Sequence, residues 1–531
     1  MMKNPEGIKL MKSNDQVARS RLRAARSVSV AALCAVGLSA CIVSPKPFSA
    51  QDTQMRIAMD LSAMFADQEP LTKPLTVHEA MARAVAYNLE ARLRVMEHAL
   101  SQRQIDSASM EMLPRMAADA GYVGRDNVSA ASSESLITRR QSLEPSTSQE
   151  RNRRVADLNV VWNVLDFGVS WIGAEQQADR SLIAEERRRK VIHNIIQDVR
   201  SAYWRAAAAE RLLGRIDRLM GRIRQAEAAS AEMGQGGMGD PLEALTYRRA
   251  LVDSLRQLET QRKELALASA ELSALINLPP GSTLKLAPAG APLRARLASE
   301  PQRMEELALT LRPELREEDY QVRISSQEGR KALLSLLPGL QLSGGAHADS
   351  NSFLVNNNWA DYGLKVTWNL LRLFSGPAVV AAAEAGEDVA VARRRALTMA
   401  VLAQVHVARA DYADAHRQYR HAVELDRLDR EILVQLRNRE TTGAGGELAT
   451  IQAELSALQS ALRMDLAAAD LRNAFGRIHV TVGADPLPQT LEGTDIATLA
   501  RAMAETEARW SQGEVTLPAQ EVAEVAQGPK S

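Results

Sequence analysis

From Ile192 to Ile223, the apolar residues Ile192, Ile195, Val199, Ala202, Ala206, Ala209, Leu213, Ile216, Met220 and Ile223 recur at steps of three and four. This is the 3.5-residue period of a helix packed in a coiled coil. Val401, Val405, Ala408, Tyr412, Ala415, Tyr419 and Ala422 repeat the pattern less strictly. The two patterns lie in long stretches, Gly168 to Gly234 and Gly376 to Gly443, free of proline beyond Pro377. About 65 helical residues would reach roughly 100 Å, too long for one compact globule. The glycine clusters Gly234 to Gly239 and Gly443 to Gly446 interrupt both helices, and new helical patterns start near Asp240-Pro241 and at Glu447. Each half of the chain is therefore predicted to hold a long helical hairpin, over 169–277 and 377–476.

Before each hairpin the period falls to two. Tyr362, Leu364, Val366, Trp368 and Leu370 alternate with Gly363, Lys365, Thr367 and Asn369. Leu158, Val160, Trp162 and Val164 alternate with Asp157, Asn159 and Asn163, with Val161 the exception. Such segments are strands with one apolar and one wet face. The expected strands are about 155–167 and 359–371, with weaker ones at about 115–124 and 339–348 after Leu113-Pro114 and Leu337-Pro338. Alternating strands of this length, with Trp162 and Trp368 as aromatic positions, fit a transmembrane barrel. The polar connections from Gly124 to Arg154 and from Asp349 to Asn358 suit exposed loops. Four strands cannot close a barrel, and open edges are not tolerated in a bilayer, so several chains must share one.

The two halves match along their length. Asn88 precedes Pro114 by the same 26 positions that separate Arg312 from Pro338. Trp162-Asn163-Val164-Leu165 is echoed by Trp368-Asn369-Leu370-Leu371. The expected fold is mainly α with a small β-barrel part, built from a duplicated β-β-α-α repeat. The first repeat is assigned to 75–285 and the second to 300–480.

Composition narrows the chemistry. The 531 residues are 46% hydrophobic but only 4% aromatic, and 65 Lys plus Arg balance 65 Asp plus Glu, so no nucleic-acid partner is indicated. After residue 45 no uncharged apolar run approaches the roughly 18 residues of a spanning helix. Four arginines between Arg19 and Arg26 precede the charge-free stretch Ser27 to Ser44, the layout of a secretory signal, here assigned to 1–40. A linker is expected over 41–74. The tail over 486–531, rich in Glu, Ala, Gln and Pro, is expected to be mostly disordered.

Leu38-Ser39-Ala40-Cys41 resembles the lipobox of bacterial lipoproteins, which implies acylation of Cys41. Ile42 after it implies sorting to the outer membrane. The order of elements over about 70–480 resembles the TolC-type outer-membrane factor family. The residues carrying that resemblance are Leu75-Thr76-Val77-His78-Glu79-Ala80 with Ala84 and Asn88, the Leu-Pro pairs, Leu165-Asp166-Phe167-Gly168, and Arg312-Pro313-Glu314-Leu315. The resemblance implies a homotrimer with a twelve-stranded outer-membrane barrel and a periplasmic α-barrel. Such a duct exports small molecules with a periplasmic adaptor and an inner-membrane pump. It also implies that the helical tips dock the adaptor and gate the duct, through Gly234, Gly236, Gly239, Asp240 and Leu242 in the first and Gly443, Gly445, Gly446, Glu447 and Leu448 in the second. Some members carry pore-facing aspartates six and nine residues after the tip glycine. Ala449 and Gln452 stand there in this chain, which departs from an acidic ring.

Two other functions fit part of the pattern: a duct for one-step protein secretion, and a coiled-coil scaffold lipoprotein without a pore. Enzyme readings fail on residue supply. Gly234-Gln235-Gly236-Gly237-Met238-Gly239 has no preceding strand and no following Gly-Lys-Ser or Gly-Lys-Thr, so it reads as a helix breaker. His416 and His421 are five apart and share no helix face, and Arg187-Arg188-Arg189-Lys190 reads as a solvated face. No enzyme activity, cofactor or metal site is expected.

Overall fold

A computed structural model describes residues 45–142, 144–235, 241–288, 300–444, 446–488 and 493–515. The chain divides into two compact units at Ala66 and Asp67. The described part of the first unit holds helix α1 (Ala50–Met64), opened by a capping box in which Ser49 and Asp52 satisfy each other's backbone N–H groups. The expected linker over 41–74 thus contains a helix.

The second unit begins with α2 (Val77–Tyr87), α3 (Leu89–Met110), β1 (Arg115–Gly124), the short strands β2 (Ala130–Ala131) and β3 (Ser146–Thr147), and β4 (Asn152–Asn163). The long helices α4 (Val164–Gln235) and α5 (Pro241–Leu275) follow. The second half runs α6 (Pro301–Leu311), α7 (Pro313–Leu334), β5 (Gly339–Asp349), β6 (Asn358–Thr367), α8 (Leu371–Thr441) and α9 (Glu447–Thr481), and α10 (Ile496–Ser511) closes the described chain. Corresponding helices have nearly the same length: 11 and 11 residues in α2 and α6, 22 and 22 in α3 and α7, 72 and 71 in α4 and α8, 35 and 35 in α5 and α9.

The residues shared by the two halves act at element boundaries. Asn88, extended at φ −60° and ψ 129°, ends α2 and caps α3: its side-chain oxygen accepts from the N–H groups of Glu90 and Ala91. Its amide nitrogen also donates to the Leu275 carbonyl at 3.0 Å, tying the start of α3 to the end of α5. Arg312 holds the equivalent extended bend, with Pro313 at the first turn of α7, where its missing N–H costs nothing. Asn163 and Asn369 accept from the N–H groups of Leu165 and Leu371. These bonds convert strand to helix earlier than the two-residue period suggests. Leu165-Asp166-Phe167-Gly168 therefore opens α4, and Trp368, Asn369 and Leu370 lie beyond the end of β6.

The seam of α4 is its buried face. Val199, Ala202, Ala206, Ala209, Ile216 and Ile223 are buried, and so are Tyr203 and Leu212 outside the strict seam, because α4 packs against α2, α5 and α9. Alanines at these positions let the helices approach closely. In α8, Val401, Val405, Ala408, Tyr412 and Ala422 are buried, with Ala415 and Tyr419 partly so.

The tail departs from expectation. Composition predicts disorder from residue 486, but Ile496, Leu499, Met503, Thr506 and Trp510 form the buried face of α10, at steps of three and four. Asp495 caps the helix by accepting from the Thr498 N–H. Ile496 and Leu499 pack with Ala82 and Tyr87 of α2, Met503 joins the core of the first half, and Trp510 joins that of the second. The helix stitches the two halves together.

Candidate functional site

The strands β1, β4, β5 and β6 form one antiparallel sheet in that order, which leaves one edge each of β1 and β6 without a partner strand among the described residues. Register assigns every side chain to a face, since alternate residues point oppositely. Met116, Leu158, Val160, Leu342, Tyr362, Leu364 and Val366 share one face; Asp119, Asp157, Asn159, Ser343, His347, Asp361 and Lys365 share the other. Tyr362 is 95% exposed, Leu364 67% and Val366 65%, an apolar surface that a water-facing sheet would not present. Val161, the exception to alternation, lies on the polar face beside Ser343.

Across the polar face His347 joins three strands: Nδ1 lies 2.6 Å from Asp157 and Nε2 lies 3.1 Å from Asp361. Its ring stacks on Trp359 at 5.1 Å. The two tryptophans singled out by the sequence sit at the helical end of the sheet. Trp162 Nε1 donates to the Met112 carbonyl at 3.3 Å, and Trp368 Nε1 donates to the Leu336 carbonyl at 3.0 Å. Each acceptor lies two residues before a Leu-Pro proline. The apolar body of each ring packs beside a satisfied polar edge, the arrangement favoured at a membrane interface.

At the far ends of the long helices, α8 stops in a Schellman motif. Gly443 takes φ +72°, the Ala444 N–H donates to the Arg439 carbonyl, and the Gly443 N–H donates to the Glu440 carbonyl. Gly446 caps α9, Glu447 lies in its first turn, and Leu448 packs against the core shared by α4, α5 and α9. Arg222 of α4 joins this end to the other hairpin, 2.9 Å from Glu440, 3.9 Å from Glu447 and 2.8 Å from Glu454. Gly234 lies in the last turn of α4, and Leu242 is exposed at the start of α5. Cys41, Gly236, Gly239, Asp240 and Gly445 lie outside the described residues.

Between sheet and tips, ion pairs bind the two halves. The run Arg187 to Lys190, expected to be a solvated face, is fully engaged. Arg187 meets Glu317, Arg188 meets Glu185, Arg189 meets Glu186 and Asp485, and Lys190 meets Glu314. Asp485 also takes a 2.8 Å contact from His193. Burial would raise the Asp485 carboxyl, but His193 and Arg189 outweigh it and hold it below the usual carboxylate range. Glu186 is raised, because burial there exceeds the attraction of Arg189 and Arg316. Glu314, Glu317 and Asp485 lie far from this run in sequence, so spacing could not reveal them.

A second network holds α10. Glu507 meets His78 of α2 at 2.9 Å and Arg200 of α4 at 3.7 Å. Burial opposes its charge, yet Arg200 and His78 push the carboxyl down to about 2. Arg200 passes α9 at Gly476, where any Cβ would collide with the guanidinium. No helix among the described residues is long and apolar enough to cross a membrane, and no group of three or more His, Cys, Asp or Glu among them could hold a metal ion.

No protein-family model and no curated protein matches the sequence. Solved structures do. The outer-membrane channel OprN matches with a TM-score of 0.59 and 18% identity, over 77% of this chain and 89% of that one. The open-state MtrE outer membrane channel of Neisseria gonorrhoeae gives 0.58 and 18% over 75% and 88%. The CmeC outer membrane channel of Campylobacter jejuni gives 0.63 and 13% over 88% and 97%. A mainly helical chain with a small four-stranded sheet, matched along most of these channels' length, has the fold of the TolC-type outer-membrane channels.

Proposed function

We propose that this chain is the outer-membrane duct of a tripartite efflux system. The carrying observation is the sheet: four strands with an apolar face, a polar face and, among the described residues, two unpaired edges, running directly into helices of 72 and 71 residues. Strands of 10 to 12 residues, tilted as in known barrels, match the height of a bilayer's apolar core. The unpaired edges demand partners there, and three copies joined edge to edge form a closed twelve-stranded barrel with its polar face inward. The long helices, about 105 Å each at 1.5 Å per residue, then continue the duct into the periplasm.

In this assembly Cys41 carries the lipid anchor, and Trp162 and Trp368 mark the periplasmic border of the membrane. The tips around Gly234 to Leu242 and Gly443 to Leu448 dock the periplasmic adaptor and open when they move apart. Conduction is passive, and the inner-membrane pump supplies the energy. Likeness to the channels named above supports an export role, and the lipobox favours small-molecule efflux over protein secretion. Purified protein should run as a heat-sensitive trimer, and deletion of the gene should sensitise cells to toxic small molecules. A detergent-soluble monomer would instead support the scaffold function.

A further inference from the structure

The apolar face of β1, β4, β5 and β6 carries one charged side chain, Arg154; the other charges of these strands all lie on the polar face. Their heights along a barrel follow from the register. Relative to the rung through Arg115, Val161, Ser343 and Gly363, the helical end of β4 runs two residues further, to Asn163, and those of β5 and β6 four, to Gly339 and Thr367. Tilted strands whose ends lie in one plane show this stagger, so height is counted from each strand's own helical end. Arg115 begins β1, and Lys365 lies two residues from the end of β6. Asp119 lies four residues in, and Asp157 and Asp361 lie six. At about 2.5 Å of height per residue, for strands tilted near 40°, the two cations occupy roughly the first 5 Å and the three carboxylates the zone from roughly 10 to 15 Å.

Neither band is neutralised from within. Arg115 and Lys365 make no ion pair and no side-chain hydrogen bond among the described residues. Glu111 and Asp166, which line a cleft with Arg115, lie beyond the strands and ion-pair with neither cation among those residues. In the upper band three carboxylates face one histidine, His347, so the band is negative whether or not that imidazole is protonated. Asp119 and Asp157 stand directly opposite each other across β1 and β4, a like-charge pair that costs a sheet stability. Gly345 makes room for the group: a Cβ there would fall 2.5 Å from His347 Nε2 and 2.8 Å from the Asp361 carboxylate. Farther out, Arg153 and Asp349 pair at 2.8 Å and cancel.

We infer that the barrel rectifies ion flow: a basic collar of Arg115 and Lys365 at its helical mouth stands in series with an acidic belt of Asp119, Asp157 and Asp361 above it. The inference rests on the duct function proposed above, in which three copies close the barrel with this face inward. It adds the residues that set which ions pass and in which direction they pass more readily.

Rings of fixed charge gather mobile ions of the opposite sign. The two bands lie about 10 Å apart, and a twelve-stranded barrel at this tilt has a backbone radius of about 12 Å, both close to the Debye length of about 10 Å at 0.1 M salt. The lumen therefore holds an anion-rich zone and a cation-rich zone end to end. A field positive on the outer side drives cations inward from the belt and anions outward from the collar. Both move toward the junction between the bands, where carriers accumulate and conductance rises. The opposite field empties the junction, and conductance falls. Removing either band leaves the selectivity of the other.

The test adds full-length protein to one side of a planar bilayer, where helices of 72 and 71 residues keep their tips on the side of addition. Single-channel currents are compared at equal voltages of both signs. In wild type at about 0.1 M KCl the current is expected to be roughly twofold larger when the side opposite the tips is positive. The ratio should approach one at about 1 M, where the Debye length is about 3 Å. R115Q/K365Q should abolish the asymmetry and shift the reversal potential in a KCl gradient toward cation selectivity. D119N/D361N should abolish it too and shift that potential toward anion selectivity. Symmetric wild-type currents at the lower salt, asymmetry of the opposite sign, or asymmetry that the variants retain overturns the inference while the duct stands, since discrete steps are still seen. Absence of any step in wild type overturns the duct function and the rectifier with it.

Discussion

Acidification should loosen the tail helix through His479. That imidazole is 5% exposed, stacked on Trp510 at 4.3 Å, with Nδ1 2.9 Å from the Phe475 carbonyl. Burial pushes it down to about 4 from an ordinary 6.5, despite the Phe475 bond, and nearby Arg200 adds to the shift. Because the folded value lies below the unfolded one, the loosened state binds more protons between them. The stabilisation is complete above pH 6.5 and is lost as pH falls toward 4. The whole shift corresponds to on the order of 3 kcal/mol, of which about 2 kcal/mol is lost by about pH 5. Glu507 is down at about 2, so it stays ionised throughout and its attraction to Arg200 persists. Amide hydrogen exchange over Ile496–Ser511, corrected for intrinsic rates, reads the effect directly. Protection should fall roughly 30-fold from about pH 7 to about pH 5 in wild type and only a few-fold in His479→Asn. An equal fall in both proteins, or none in wild type, would refute the reasoning.

Three further outcomes follow from named contacts. Asn88→Ala removes the cap of α3 and the bond to Leu275 and should cost about 1–2 kcal/mol in denaturant unfolding, with Asn88→Asp in between because it keeps the cap. Leu364→Arg places a charge on the apolar face of β6, at a cost of about 2–4 kcal/mol near the membrane midplane, and should deplete folded protein from outer-membrane fractions. Ser343→Arg, on the polar face of the neighbouring strand β5, should insert normally. Arg222→Ala removes the contact of Glu440 with α4 and leaves Glu454 to Arg437 alone, and it should raise uptake of a large hydrophilic dye in cells; unchanged uptake would argue against a gate there.

Much of this architecture is legible in the sequence because it is periodic. A seam at steps of three and four marks the buried face of α4 from Ile195 to Ile223, and alternation from Tyr362 to Val366 marks the faces of β6. The same reasoning reaches α10, since Ile496, Leu499, Met503, Thr506 and Trp510 keep helical spacing behind the cap Asp495. Composition hides it: Glu, Ala, Gln and Pro dominate the surrounding tail, and a single helix with five inward residues barely alters the average. The strand ends fall short of the alternating pattern because Asn163 and Asn369 cap the helices that follow, which a two-residue period does not register. The ion pairs between distant segments are beyond reach for a different reason. Arg189 finds Asp485 296 positions away, and Glu507 finds His78 across 429, separations set by tertiary packing and not by any local pattern.

Conductance across a planar bilayer tests the duct most directly. Purified protein that migrates as a heat-sensitive trimer should produce discrete, long-lived conductance steps, and Leu364→Arg should abolish them while Ser343→Arg retains them. A protein that stays monomeric in mild detergent and adds no conductance at any concentration would contradict the shared barrel on which the account rests.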